Sequence, residues 1–171
     1  MNLAITIAPL SFLWWIGIIL SLLIGILIIQ LAIRIPPDKR TILRISIGIL
    51  MFSEELFNQF YMVKLGVWHS SSSLPLHLCG ITGLLSAMMM IKNKQMGFEF
   101  ILMPGFAGAL HALITPQLNH GGDTIQVINY YIGHSGILIV AFYLAIVEGY
   151  RLRKSSWIKS FLLIQVLLIF L

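Results

Sequence analysis

The chain has 171 residues, 58% of them hydrophobic and only 10% charged, with a mean hydropathy of +0.95. Charged residues make up roughly a quarter of a soluble domain, so the composition excludes one and identifies an integral membrane protein. The formal net charge of +5 is then a matter of topology, with no nucleic-acid arm in view, and the single cysteine, Cys79, excludes an internal disulfide, an iron–sulfur cluster and a multi-cysteine zinc site.

Crossing the roughly 30 Å hydrocarbon layer takes about 20 apolar residues, and such stretches follow one another along the chain. The first covers residues 10–33, inside a window without charge, and the second 41–63. The third covers 74–91, after the run Ser70-Ser71-Ser72-Ser73, which supplies an N-cap with Pro75 tolerated in the first turn. The fourth covers 98–115 and is stopped by Pro116; the fifth covers 124–147, after the turn Asn119-His120-Gly121-Gly122-Asp123. The last, 157–171, is short. Only Ser160 to Leu171 follow Lys159, about 18 Å of helix, so the chain ends inside the far leaflet or lacks its natural C-terminus. The expected fold is all-α: a polytopic transmembrane bundle of about six spanning helices, forming one domain over residues 1–171.

Lys and Arg are retained on the cytoplasmic side of a membrane. Arg34, Lys39, Arg40 and Arg44 flank the first loop, Lys92 and Lys94 the third, and Arg151, Arg153, Lys154 and Lys159 the fifth. Lys64 stands apart on the opposite side, which places the N-terminus and the loops 64–74 and 116–124 outside. The start of the chain lacks the basic region and small-residue cleavage site of a secretory signal, so the first helix is expected to stay in the mature protein. Trp68 and Trp157 read as interface anchors. The basic loops are topology signals first and contacts to anionic lipid second. His69 and His120 fall in exterior loops and read as solvated.

Polar residues inside the hydrocarbon are costly unless paired or facing a cavity. Glu54 and Glu55 sit midway between Arg44 and Lys64, with Asn58 one turn later. Adjacent carboxylates point about 100° apart on a helix, so at most one faces the interior squarely. His77 and Cys79 begin the third helix, His111 closes the fourth, and His134 lies about 15 Å into the fifth. Three histidines, a thiol and a carboxylate from four helices can thus converge on one pocket opening to the outer leaflet. His77 and Cys79, two residues apart, do not share a helix face unless Pro75 and Gly80 leave that turn irregular. Cys79 shares its face with Thr82 and Ser86, a polar stripe expected to face the bundle, where a histidine from another helix can generate the thiolate and later return the proton. Buried and inert is the competing reading of this cysteine.

Met88, Met89 and Met90 are consecutive, point in three directions and read as packing. Gly105, Gly108 and Ala109, with Gly133 and Gly136, put small residues where helices can approach closely.

Three motifs, Leu74-Pro75-Leu76-His77-Leu78-Cys79, His111-Ala112-Leu113-Ile114-Thr115-Pro116 and Tyr130-Tyr131-Ile132-Gly133-His134-Ser135-Gly136, with the acidic pair Glu54-Glu55 ahead of Trp68, resemble the YwaF-type bacterial integral membrane proteins. The resemblance spans about residues 45–150. Those proteins are similar in turn to a eukaryotic multi-pass acyltransferase that remodels ether phospholipids, and more distantly to membrane hydrolases of fatty-acid esters. The resemblance implies a bacterial plasma-membrane protein with Cys79 as nucleophile and His134 as base. It further implies a thioester formed from a phospholipid acyl chain and resolved by a lysophospholipid hydroxyl. His111 or His77 would donate to the oxyanion, Glu54 or Glu55 would orient a histidine, and Asn58, Thr82, Ser86 and Ser135 would meet the lipid. Phospholipid, lysophospholipid and surrounding membrane lipids are the expected partners, with no cofactor, no metal and no nucleic acid.

The same residues carry rival readings. His77, His111 and His134 on separate helices could ligate zinc or sandwich a haem, although no His-x-x-x-His pair occurs. Gly133-His134-Ser135-Gly136 holds a short serine-hydrolase-like match with Ser135 as nucleophile. Glu54, Glu55 and the histidines could form the proton or cation path of a non-enzymatic transporter, for which no internal repeat speaks.

Overall fold

The computed structural model describes residues 5–92, 94–119 and 121–170. It is an all-α bundle whose helices run back and forth through short connections. Helix α1 (Phe12–Arg34) is capped by Ser11, whose side chain accepts from the Trp14 backbone N–H. Helix α2 (Pro37–Lys64) begins four residues before the expected Thr41. Proline fits the first helical position because its missing N–H would be unpaired there anyway, and Asp38 places a carboxylate in the positive first turn.

Helix α3 (Leu78–Ile91) starts later than the expected residue 74. Leu76 N donates to Leu74 O at 2.7 Å, which curls residues 74–77 into a turn, and His77 is the extended residue ahead of the helix. The serine run does not cap α3; the Ser73 hydroxyl accepts from the His69 backbone N–H at 3.0 Å instead. The turn lies directly on α3, since a Cβ on Gly80 would stand 2.6 Å from the Pro75 carbonyl oxygen.

Helix α4 (Gln95–Phe100), a π-helical turn (Ile101–Gly105) and helix α5 (Phe106–Ile114) form one continuous rod. Pro104 lies inside the π turn, where the wider winding accommodates a residue that has no N–H to give. The rod ends two residues before Pro116. Asp123 caps helix α6 (Thr124–Ile146), accepting from the N–H groups of Ile125 and Gln126. Helix α7 (Ser156–Phe170) follows and packs on α4. Strand β1 (Ile5–Thr6) pairs antiparallel with β2 (Gln117–Leu118), Ile5 opposite Leu118, and ties the N-terminal segment across the loop end of the bundle.

Among the described residues three helical segments are long and apolar enough to cross a membrane: Phe12–Arg34, Gln95–Ile114 and Thr124–Ile146. Helix α2 has the length, at 28 residues, but carries Glu54 and Glu55 midway, and α3 and α7 are shorter apolar helices. Close approaches lock the arrangement. A Cβ on Gly17 would lie 2.3 Å from the Tyr131 ring, so α1 crosses α6 closely there on a glycine and any side chain would displace that ring.

The dense core occupies the half of the bundle nearest the basic loops, where Phe98, Ile101, Met90, Val140 and Tyr143 are fully enclosed. Met89 joins that core while Met88 is exposed, as three consecutive helical residues must diverge. Arg44 fastens this end, donating to Met90 O at 2.7 Å with Glu148 at 3.9 Å. The opposite half carries a second, smaller cluster of Ile7, Trp14, Leu113, Leu118, Val127 and Tyr131 where α1, α5 and α6 meet, and the space between α2, α3, α5 and α6 beside it is left open.

Candidate functional site

That opposite half contains a cavity of about 870 Å³, within the roughly 300–1,000 Å³ typical of ligand sites. Glu54, Glu55 and Asn58 line it from α2, His77 and Cys79 from the start of α3, and His111 from the end of α5. Helix α6 contributes a stripe at helical spacing: Gln126, Asn129, Tyr130, Gly133, His134 and Ile137. Thr6 and Ile7 lie at its margin, brought there by β1.

The thiol and the histidines come from different elements but meet one space. Cys79 is half-buried, and its Sγ packs on Gly108, since a Cβ there would stand 3.5 Å away. His111 lies one turn beyond Gly108 on the same face of α5. His77 precedes the helix proper, so the rule that separates residues two apart on one helix does not apply to it and Cys79. His77 lies within electrostatic range of His134, and Tyr130 within that of Cys79.

His134 is held in one tautomer. Its Nδ1 is 2.8 Å from the Tyr130 carbonyl oxygen, and a carbonyl only accepts, so Nδ1 carries the proton and Nε2 presents its lone pair. The Tyr130 ring lies against the imidazole with centroids 4.2 Å apart, while its hydroxyl donates to Ala112 O at 2.8 Å. Tyr130 therefore joins His134 on α6 to the α5 end that carries His111.

Both glutamates line the cavity but from different directions, as adjacent residues about 100° apart on a helix must. Glu54 points at α6, its Oε2 3.6 Å from where a Cβ of Gly133 would be. Glu55 points toward the loop end and accepts from Gln59 Nε2 at 2.7 Å. The same Gln59 nitrogen donates to Ser73 O at 2.9 Å, and Gln59 Oε1 accepts from Trp68 Nε1 at 2.8 Å. Trp68, expected as an interface anchor, thus fastens the 68–77 loop to α2.

Of the residues expected to meet lipid, Asn58 lines the cavity, whereas Thr82, Ser86 and Ser135 are buried outside its lining. Thr82 donates back to Leu78 O at 2.8 Å and packs on Gly105, and Ser135 donates toward Ile132 O on its own helix at 3.4 Å. The stripe shared by Thr82 and Ser86 faces the bundle, as its polarity requires, but into helix contacts. His69 is exposed, and His120 lies outside the described residues. Among the described residues no three His, Cys, Asp or Glu side chains are grouped to hold a metal ion.

Gln59 and Asn129 are not singled out by the sequence, and Tyr130 is read there only as part of a motif, without a role of its own. The signal was present for two of them, because Asn129 and Tyr130 stand four residues before Gly133 and His134 respectively.

A family model described as the TMEM164 family matches residues 6–171, and the chain belongs to that family. No curated protein and no solved structure matches it.

Proposed function

We propose that this TMEM164 family membrane protein is a lipid acyltransferase that works through a cysteine acyl-enzyme. The observation that carries the reading is the joint placement of the single thiol, Cys79, and the proton-accepting nitrogen of His134 on one lipid-sized cavity. The cavity lies at the end of the bundle away from the basic loops, which in a bacterial plasma membrane is the outer-leaflet side.

In the first half-reaction the Cys79 proton passes to His134 Nε2 as sulfur attacks an acyl ester carbonyl of a diacyl phospholipid. The C–S bond forms, the ester C–O bond breaks, and the departing lysophospholipid oxygen takes the proton back from His134. In the second half-reaction a lysophospholipid hydroxyl gives its proton to His134 and attacks the thioester. A new C–O bond forms, the C–S bond breaks, and sulfur recovers the proton. His111, or His77, donates to the carbonyl oxygen as it becomes negative, an effect worth about 2.7–4 kcal/mol where such donors have been removed from enzymes. Glu54 faces α6 beside His134 and supports the imidazolium formed midway.

The test is intact-protein mass spectrometry after incubation with a diacyl phospholipid, with Cys79→Ala alongside. The expected result is a hydroxylamine-sensitive gain of one acyl chain that is absent from the variant. A folded, lipid-bound protein that gains no mass would overturn the acyl-enzyme and favour a proton or cation path through the same carboxylates and histidines.

A further inference from the structure

Asn129 is only 8% exposed, it lines the cavity, and its Nδ2 has no hydrogen-bond partner. A buried amide donor left unpaired opposes folding, and nearly all such groups in proteins are satisfied. Its place in the fold is specific. Asn129 lies on the stripe of α6 that carries His134, five residues nearer the loop end, or about 7.5 Å of helix rise. Among the described lining residues there is no Lys or Arg, and two carboxylates are present. An acceptor oxygen entering this region therefore meets a neutral donor.

We propose that the Asn129 side-chain amide is the anchoring donor for an acceptor oxygen on the glycerol or phosphate portion of a glycerolipid, held outward of the ester carbonyl at the Cys79 and His134 level. This subsite rests on the lipid reading above but requires no chemistry at Cys79. The oxygen recognised is a proton-free acceptor: a second acyl-ester carbonyl or a phosphodiester oxygen. The spacing fits either, because both lie within several bonds of the reacting ester in a glycerophospholipid. A neutral amide holds them without the desolvation that a buried cation would incur.

The experiment uses the full chain in detergent with Cys79→Ala, so that lipid binds without turnover, and follows thermal stability during titration. The probes are a short-chain diacyl phosphatidylcholine and the diacylglycerol with the same chains. Without lipid, Asn129→Leu should melt no lower than its parent, since removing an unpaired buried donor relieves a penalty. With lipid, Asn129→Leu and Asn129→Asp should each need about tenfold more phosphatidylcholine for the same shift. Weakening with phosphatidylcholine alone assigns the phosphodiester oxygen, and weakening with both probes assigns the ester carbonyl. Unchanged binding of both probes overturns the subsite, as does an Asn129→Leu protein that melts well below its parent without lipid, which would mark a structural amide. If the leucine variant does not fold, Asn129→Asp, equal in size but without the donor, carries the binding test. The two readings fail separately. Asn129-dependent binding without an acyl adduct on unmodified Cys79 leaves the subsite standing and removes the transferase, and an adduct with Asn129-independent binding does the reverse.

Discussion

The imidazole Nδ1 of His134 lies 2.8 Å from the carbonyl oxygen of Tyr130, one turn earlier on α6. The contact uses main chain, so it survives any substitution of the tyrosine side chain. The tyrosine contributes separately through its ring and through the hydroxyl that reaches Ala112 O.

This separation gives a first prediction. His134→Ala should slow acyl-enzyme formation by about 10²–10⁴-fold, the usual contribution of a positioned general base. Tyr130→Phe, which keeps both the carbonyl and the ring against the imidazole, should stay within about tenfold of the parent, since what it loses are neutral hydrogen bonds, to Ala112 O at 2.8 Å and a long one from Gln117 N at 3.4 Å. The check is the time course of the acyl adduct by mass spectrometry. A Tyr130→Phe protein as slow as His134→Ala would make the phenol itself the essential group.

The two glutamates should behave differently. Glu55 and Ser73 share the Gln59 amide nitrogen, and Trp68 donates to its oxygen, so this cluster fastens the 68–77 loop that carries His77. Gln59→Leu should accelerate amide hydrogen exchange across residues 68–77, and Glu55→Gln should do so to a smaller degree. Glu54→Gln should leave exchange there unchanged and act on turnover instead, since its carboxylate faces Gly133 beside His134. Equal exchange in all three proteins would remove the cluster as the fastener of the loop.

The helical bundle and the approximate places of its helices were legible because the hydrocarbon layer sets one length for apolar stretches. The convergence of Glu54, His77, Cys79, His111 and His134 was legible for the same reason: ionisable groups inside apolar helices seek a shared polar space. The start of α3 was not. Ser70 to Ser73 look like a cap in sequence, but Ser73 closes a turn on His69, and the close approach of Pro75 to Gly80 is a tertiary contact with no local signature. The π turn around Pro104 was equally silent, because a proline inside an apolar run reads only as a tolerated kink. Thr82 and Ser86 share one side of α3, but a helix face is wider than a cavity wall, and small residues opposite, such as Gly105, draw that face into packing.

Ser135 supplies a third prediction. It follows His134 in sequence but is buried outside the cavity lining, with its hydroxyl directed at Ile132 O. Ser135→Ala should therefore retain acyl-adduct formation within about twofold, a change of about 0.4 kcal/mol in the barrier, since its hydroxyl meets only Ile132 O. Loss of activity in this variant, with Cys79→Ala still active, would exchange the thiol for the serine as nucleophile.

The last prediction sets two glycines of the site against each other. Within a helix, alanine in place of glycine gains roughly 0.5–1 kcal/mol because the unfolded chain loses freedom. At Gly108 nothing opposes that gain: a Cβ would meet Cys79 Sγ and Leu78 Cδ2 at 3.5 Å, ordinary contact distance. At Gly80 the Cβ would stand 2.6 Å from the Pro75 carbonyl oxygen and 2.7 Å from its Cα, both main-chain atoms that cannot rotate aside. The steric cost there, about 1–3 kcal/mol for overpacking, exceeds the gain, so Gly80→Ala should lower the melting temperature while Gly108→Ala leaves it unchanged or raises it. Because the displaced segment carries His77, Gly80→Ala should also impair acyl-adduct formation, whereas Gly108→Ala should do so only by crowding the thiol. Thermal unfolding of the two purified variants decides the point. A Gly80→Ala protein as stable as Gly108→Ala would mean that the 74–77 turn does not rest on α3, and that His77 is not held at the cavity by that contact.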